Sequence, residues 1–190
     1  MKKLFLGSMV LIMFSFTIIL FQLSCTKDAS AQTTSGSRTQ LNKIVYSIAD
    51  YTSNVNSLWI ANYDGSNATK VNFSAISGII NLKPYAGALS PDGKTLFFSA
   101  EYQTSNSSSI ISDMFTANID GSNVKKISFI LSGTTLLGAN APTFSPDGKT
   151  LFFTAGPNGI YSSNLDGTNV KAVVVANTTQ NSLRVFGGAY

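Results

Sequence analysis

The sequence predicts an all-β fold of propeller blades: about three four-stranded antiparallel sheets, forming a partial propeller or half of a six-bladed ring. Two internal repeats carry this reading. The segment Leu89-Ser90-Pro91-Asp92-Gly93-Lys94-Thr95-Leu96-Phe97-Phe98-Ser99-Ala100 returns as Phe144-Ser145-Pro146-Asp147-Gly148-Lys149-Thr150-Leu151-Phe152-Phe153-Thr154-Ala155, a step of 55 residues from Asp92 to Asp147. A shorter element occurs three times, as Asn62-Tyr63-Asp64-Gly65-Ser66-Asn67, Asn118-Ile119-Asp120-Gly121-Ser122-Asn123 and Asn164-Leu165-Asp166-Gly167-Thr168-Asn169, at steps of 56 and 46. Repeats of this period, made of short apolar runs and Gly-bearing turns, are the mark of propeller blades.

The first stretch belongs to targeting and not to the fold. Lys2 and Lys3 precede an almost unbroken apolar run from Leu4 to Leu23, the shape of an export signal over residues 1–24. Leu23-Ser24-Cys25 resembles the end of a lipobox, in which cleavage before a lipid-modified cysteine replaces the signal with a lipid anchor. Cys25, the chain's one cysteine, is therefore the expected lipid attachment site, although Gln22 stands where lipoboxes prefer Leu. Ala29-Ser30-Ala31 offers an alternative cleavage site that would release a soluble periplasmic or secreted protein. An uncleaved anchor is the third possibility, because the apolar run is just long enough to span a bilayer. Residues 25–41 are Ser/Thr/Gln-rich and read as a flexible tether, with blade repeats from 42 to 190.

Charge and cysteine content narrow the function classes. Without residues 1–24, 11 basic residues face 9 acidic ones, a net charge of +2 with no Lys/Arg cluster, so nucleic acid is not an expected partner. One cysteine allows no intramolecular disulfide, so the fold depends on packing.

The turn residues and strands follow from local chemistry. In Ser-Pro-Asp-Gly, proline presets φ, aspartate bonds nearby backbone and glycine takes the left-handed conformation, which predicts a tight hairpin. Asp-Gly-Ser/Thr-Asn is expected to join the next pair of strands in the same way. Strands are predicted over Lys43–Ile48, Leu58–Asn62, Thr95–Ala100, Met114–Asn118, Thr150–Thr154 and Ile160–Ser163. The consecutive apolar residues of Leu96-Phe97-Phe98, Leu58-Trp59-Ile60 and Leu151-Phe152-Phe153 suit strands covered on both faces, as in stacked blades.

The pattern SPDGK-T-L-F-F, an apolar strand, N-x-DG-S/T-N and a Lys-bearing strand resembles the TolB-like (WD40-like) propeller repeat over about residues 43–175. The resemblance implies four-stranded antiparallel blades, usually six to a ring, in periplasmic scaffolds and in propeller domains attached to some peptidases. Leu89 departs from it, standing where an aromatic usually precedes the serine. Material for only three blades is a larger departure. With the strand before each SPDG termed A, the repeats open at a B strand, Lys43–Ile48, and close on Phe186-Gly187-Gly188-Ala189-Tyr190. That segment matches Tyr85-Ala86-Gly87-Ala88-Leu89 in character and is expected to be a spare A strand. Two chains exchanging terminal strands would then form a homodimer with six blades. The competing reading is a truncated reading frame.

No catalytic residue is expected. The chain has no histidine, which removes Ser-His-Asp, Cys-His and His-ligated metal chemistry. Asp64, Asp92, Asp120, Asp147 and Asp166 all fall in repeated turns, where turn geometry explains them better than an acid pair would. Asn118-Ile119-Asp120-Gly121-Ser122-Asn123 alternates oxygen ligands as calcium loops do, but lacks the closing acid. No metal or cofactor is expected. Tyr51, Tyr63, Tyr85, Tyr102 and Trp59 are candidate surface aromatics, with core packing the default for most.

The expected function is a non-enzymatic envelope scaffold, lipid-anchored to a membrane, that binds another envelope protein. Contact is expected through Glu101–Asp113 and Ser128–Asn140, which differ between repeats. One alternative is glycan or small-molecule binding in the propeller funnel. Another is an inactive propeller domain of a peptidase-like protein.

Overall fold

Thirteen strands and no helix make up the described residues, 41–156 and 159–175, of the computed structural model. The export signal, Cys25, the alternative site at Ala31 and the A-like segment Phe186–Tyr190 lie outside them. The first sheet is β1 (Lys43–Asp50), β2 (Val55–Asn62) and β3 (Thr69–Lys70). The second is β4 (Ile79–Leu89), β5 (Thr95–Thr104), β6 (Ile111–Asn118) and β7 (Lys125–Lys126). A hairpin of β8 (Phe129–Leu131) and β9 (Thr134–Leu136) follows. The last sheet is β10 (Asn140–Phe144), β11 (Thr150–Ala155), β12 (Gly159–Asn164) and β13 (Lys171–Val175). Within each sheet, strands adjacent in sequence pair antiparallel, the meander expected of a blade.

Both turn types form as their residues dictate. Ser90 N–H donates to Thr95 O at 2.7 Å. The Ser90 hydroxyl donates to Asp92 Oδ1 at 2.6 Å and accepts from Thr95 N–H at 2.9 Å, and Gly93 takes φ +70°. Ser145, Asp147, Gly148 and Thr150 repeat that pattern. In the second turn type the Asn62 amide group donates to Ser66 Oγ at 2.9 Å, and that hydroxyl donates to Asp64 Oδ1 at 2.7 Å. Asn118, Ser122 and Asp120 form the second copy, and Asn164, Thr168 and Asp166 the third. The closing asparagines Asn67, Asn123 and Asn169 all have φ between 53° and 55°. Asparagine tolerates this left-handed region better than most residues, which accounts for its place in the motif.

The consecutive apolar residues fill two cores. On β5, Leu96, Phe98, Ala100 and Tyr102 pack toward the first sheet with Leu58, Ile60, Phe115 and Ala117. Phe97 faces the other way, into a second core with Met114, Ile127, Phe129, Leu151 and Phe153. A strand in the middle of a stack has no wet face, so it alternates between two cores instead of between core and water.

Several expectations need correction. β5 runs on to Thr104 and β6 starts at Ile111, so most of Glu101–Asp113 is strand and the connection itself is only 105–110. Ser128–Asn140 is likewise more than a recognition loop. It contains β8 and β9, and it buries Phe129 and Ala139 in the second core. Strand ends also reach further than their apolar runs, as in β1 to Asp50 and β2 from Val55, because ladder bonds continue where side chains turn polar.

Candidate interaction surface

The two ends of the sheets differ in kind. One end carries all five Asp-Gly turns, cross-braced by Ile119 N–H to Lys94 O at 3.1 Å and Tyr63 N–H to Asn42 O at 3.0 Å. Asp92, Asp147 and Asp166 line a recess of about 530 Å³ there with Ser90, Thr116 and Leu165. Each carboxylate accepts bonds inside its own turn. Turn hydroxyls hold all five carboxyls below the usual carboxylate range: Ser66 for Asp64, Ser90 for Asp92, Ser122 for Asp120, Ser145 for Asp147 and Thr168 for Asp166, with backbone N–H bonds adding to each. A general acid needs the opposite shift, so the positions of these groups match their turn role.

The other end carries dissimilar connections, residues 51–54 and 105–110. Asp50 closes the first, accepting from Thr52 N–H at 2.9 Å and from the Ser53 hydroxyl at 2.6 Å. Between these connections lies a second recess of about 530 Å³, lined by Asn54, Val55, Lys83, Glu101, Gln103 and Ile110 among others. Its polar wall is pre-set: the Asn81 amide donates to Gln103 Oε1 at 2.6 Å, and Gln103 Nε2 donates to Ser108 O at 2.7 Å.

Tyr102 joins this recess to a buried charge. Its hydroxyl donates to Asp113 Oδ2 at 2.8 Å and accepts from Lys126 Nζ at 2.9 Å, while Lys126 Nζ lies 2.6 Å from the same carboxylate oxygen. Burial pushes the Tyr102 phenol up. Burial alone would lower Lys126, but its bonds to Asp113 and Tyr102 outweigh that and leave it raised. The sequence reading missed this network. Its one signal was a charge inside the strand pattern Ile111-Ser112-Asp113-Met114-Phe115, and the partners, 11 and 24 residues from Tyr102, come from neighbouring strands.

The candidate aromatics separate. Tyr51 and Tyr63 are exposed, Trp59 is half-buried and Tyr102 is core. Tyr85 is half-buried, bonded to Ser112 Oγ at 2.7 Å, and burial raises its phenol. Among the described residues no three His, Cys, Asp or Glu side chains are grouped as a metal would require, and no helix is long and apolar enough to cross a membrane.

Stacked antiparallel meanders with repeating Asp-Gly turns can be set beside known folds. A candidate TolB from Agrobacterium tumefaciens superposes with TM-score 0.51 and 19% identity over 74% of this chain. The fold is a TolB-like β-propeller fold. The chain spans 49% of the length of that TolB-like structure. The hydrazine synthase of Kuenenia stuttgartiensis aligns at TM-score 0.45 and 14% identity, covering 66% of this chain and 37% of its own. No family model and no curated protein sequence matches the chain. In this TolB-like fold β3, β7 and β13 each form the last edge of their sheet.

Proposed function

We propose that the chain is an exported envelope protein, lipid-anchored through Cys25, whose TolB-like blades act as a non-enzymatic scaffold that binds another protein. The supporting observation is the contrast between the two ends of the blades. Repeated turns spend their polar groups on themselves, whereas the opposite end presents unlike connections around a recess that mixes Lys83 and Glu101 with Val55 and Ile110. A mixed polar and apolar concavity beside non-repeating loops suits recognition of a peptide or protein surface.

A photo-crosslinking residue at Gln103, compared with one at Asp147, tests this in cells. Discrete protein adducts at Gln103 that are absent at Asp147 are the expected result. No adducts at Gln103, or equal labelling at both ends, would count against the reading. Metabolic labelling with a fatty acid, lost in Cys25→Ala, tests the anchor separately.

A further inference from the structure

Each seam between successive blades is assembled from the same parts. The following blade offers an aromatic pair across its second and third strands, together with the glycine of its Asp-Gly turn. At the first seam Phe98 and Phe115 stand 5.6 Å apart, Phe73 of the preceding blade lies 4.3 Å from Phe98, and a Cβ on Gly121 would come 2.2 Å from Asn72 O. At the second seam Phe153 and Tyr161 stand 5.8 Å apart, Phe129 lies 4.0 Å from Phe153, and a Cβ on Gly167 would come 2.9 Å from Ser128 O.

The first blade carries a third copy of this receiving face. Tyr46 and Trp59 are a cross-strand pair at the register of Phe98 and Phe115, with rings 6.4 Å apart and 20° from parallel. Gly65 occupies the place of Gly121, yet nothing lies within 4 Å of a Cβ built there. On the same side of β1, Ile44 and Ile48 are 41% and 45% exposed. Among the described residues no blade covers this face.

Among the described residues no blade covers the corresponding forward face of the third blade, on which Phe152 and Ile160 are half-buried. By repeat position, Phe152 and Ile160 stand where Phe97 and Met114 stand in the second blade, whose forward face is filled by β10 and β11. A bulge between Ile160 and Tyr161 sets Val174 opposite Ile160, and Val174 is 43% exposed.

We propose that the receiving face of one copy, around Tyr46, Ile48, Trp59 and Gly65, takes the forward face of a second copy, around Phe152, Ile160 and Val174. By repeat position the chain presents both halves of a seam that it already forms twice internally, with the exposed Val175 standing where Phe73 and Phe129 stand, so a second copy is the partner whose chemistry fits. Two such seams related by a two-fold axis would close six blades, within the range of propeller rings. The inference rests on the blade architecture and not on the envelope-scaffold reading.

The test is sedimentation equilibrium in density-matched mild detergent, on the full chain purified from whole cells with its native N-terminal processing, whichever fraction holds it. Twice the chain mass is expected. Ile48→Glu and Val174→Lys should each yield the single-chain mass, with dimerisation at least tenfold weaker and an unchanged β circular-dichroism spectrum. Mixing the two variants should restore the doubled mass, because one seam then pairs opposite charges and the other is native. A wild-type chain that stays at single mass at every concentration overturns the proposal, as do variants that remain dimeric or folded variants that fail to recombine. The Gln103 crosslinking result is independent of each of these outcomes.

Discussion

The ring of Phe73 lies over the ring of Phe98 with centroids 4.3 Å apart, and this contact joins the first blade to the second. Phe98 is fully buried, as is Phe153, which meets Phe129 in the same way at the next seam. Truncating either Phe98 or Phe153 to alanine removes a large side chain from a core that cannot collapse around the gap. Each substitution is expected to cost about 3–5 kcal/mol, read as a lowered urea midpoint. A loss below about 1 kcal/mol for both would contradict the stacked-blade core.

The three turn glycines should respond unequally to alanine. All have φ between 80° and 86°, so each substitution carries backbone strain of about 1–2 kcal/mol. Gly121→Ala also drives a Cβ into the Asn72 carbonyl, and Gly167→Ala drives one into Ile127 and Ser128. Thermal unfolding of the three variants in an Ile48→Glu background, which keeps the chain single, should rank Gly65→Ala as the mildest. Equal losses would mean that the seams yield more readily than their spacing implies.

Acid should destabilise the fold through its turns. Asp50, Asp64, Asp92, Asp120, Asp147 and Asp166 are all held below their ordinary value of 3.8, first by a neighbouring hydroxyl and then by backbone N–H groups. A carboxyl whose pKa is lower in the folded than in the unfolded chain stabilises the fold fully above the unfolded value. That contribution disappears as pH falls through the folded value. Urea midpoints should therefore be level down to about pH 5 and decline from about pH 4 toward pH 2. Asp92→Asn should flatten part of that slope, and an unchanged slope in the variant would argue against the turn assignment.

Removing Lys126 leaves the Asp113 carboxylate buried with only Tyr102 as its bonded partner. Lys126→Met is expected to cost about 1–3 kcal/mol, with Lys126 itself partly solvated. Replacing both charges together, as Asp113→Asn with Lys126→Met, should recover part of that loss. A double-mutant cycle with no coupling would show the pair to be incidental.

Much of the architecture is written locally. Ser90, Pro91, Asp92 and Gly93 carry their turn within six residues, so their strand pair is readable wherever the motif recurs. The consecutive Leu96, Phe97 and Phe98 likewise announce a strand with two buried faces before any neighbour is known. The candidate surface was far less legible. Glu101 and Asp113 read as loop ends because polar residues interrupt the apolar run, yet the ladder continues through them by backbone bonds that carry no side-chain signature.

The sequence by itself determined that this chain makes strands, where its Asp-Gly turns fall and that its blades repeat, because turns and strand patterning depend on residues close together in the chain. Only the tertiary structure decided which faces meet. Tyr102, Asp113 and Lys126 converge from three strands, and Gly121 seats against Asn72 across a seam. Contacts between residues tens of positions apart depend on how sheets stack, and stacking is a property of whole faces that no single segment encodes.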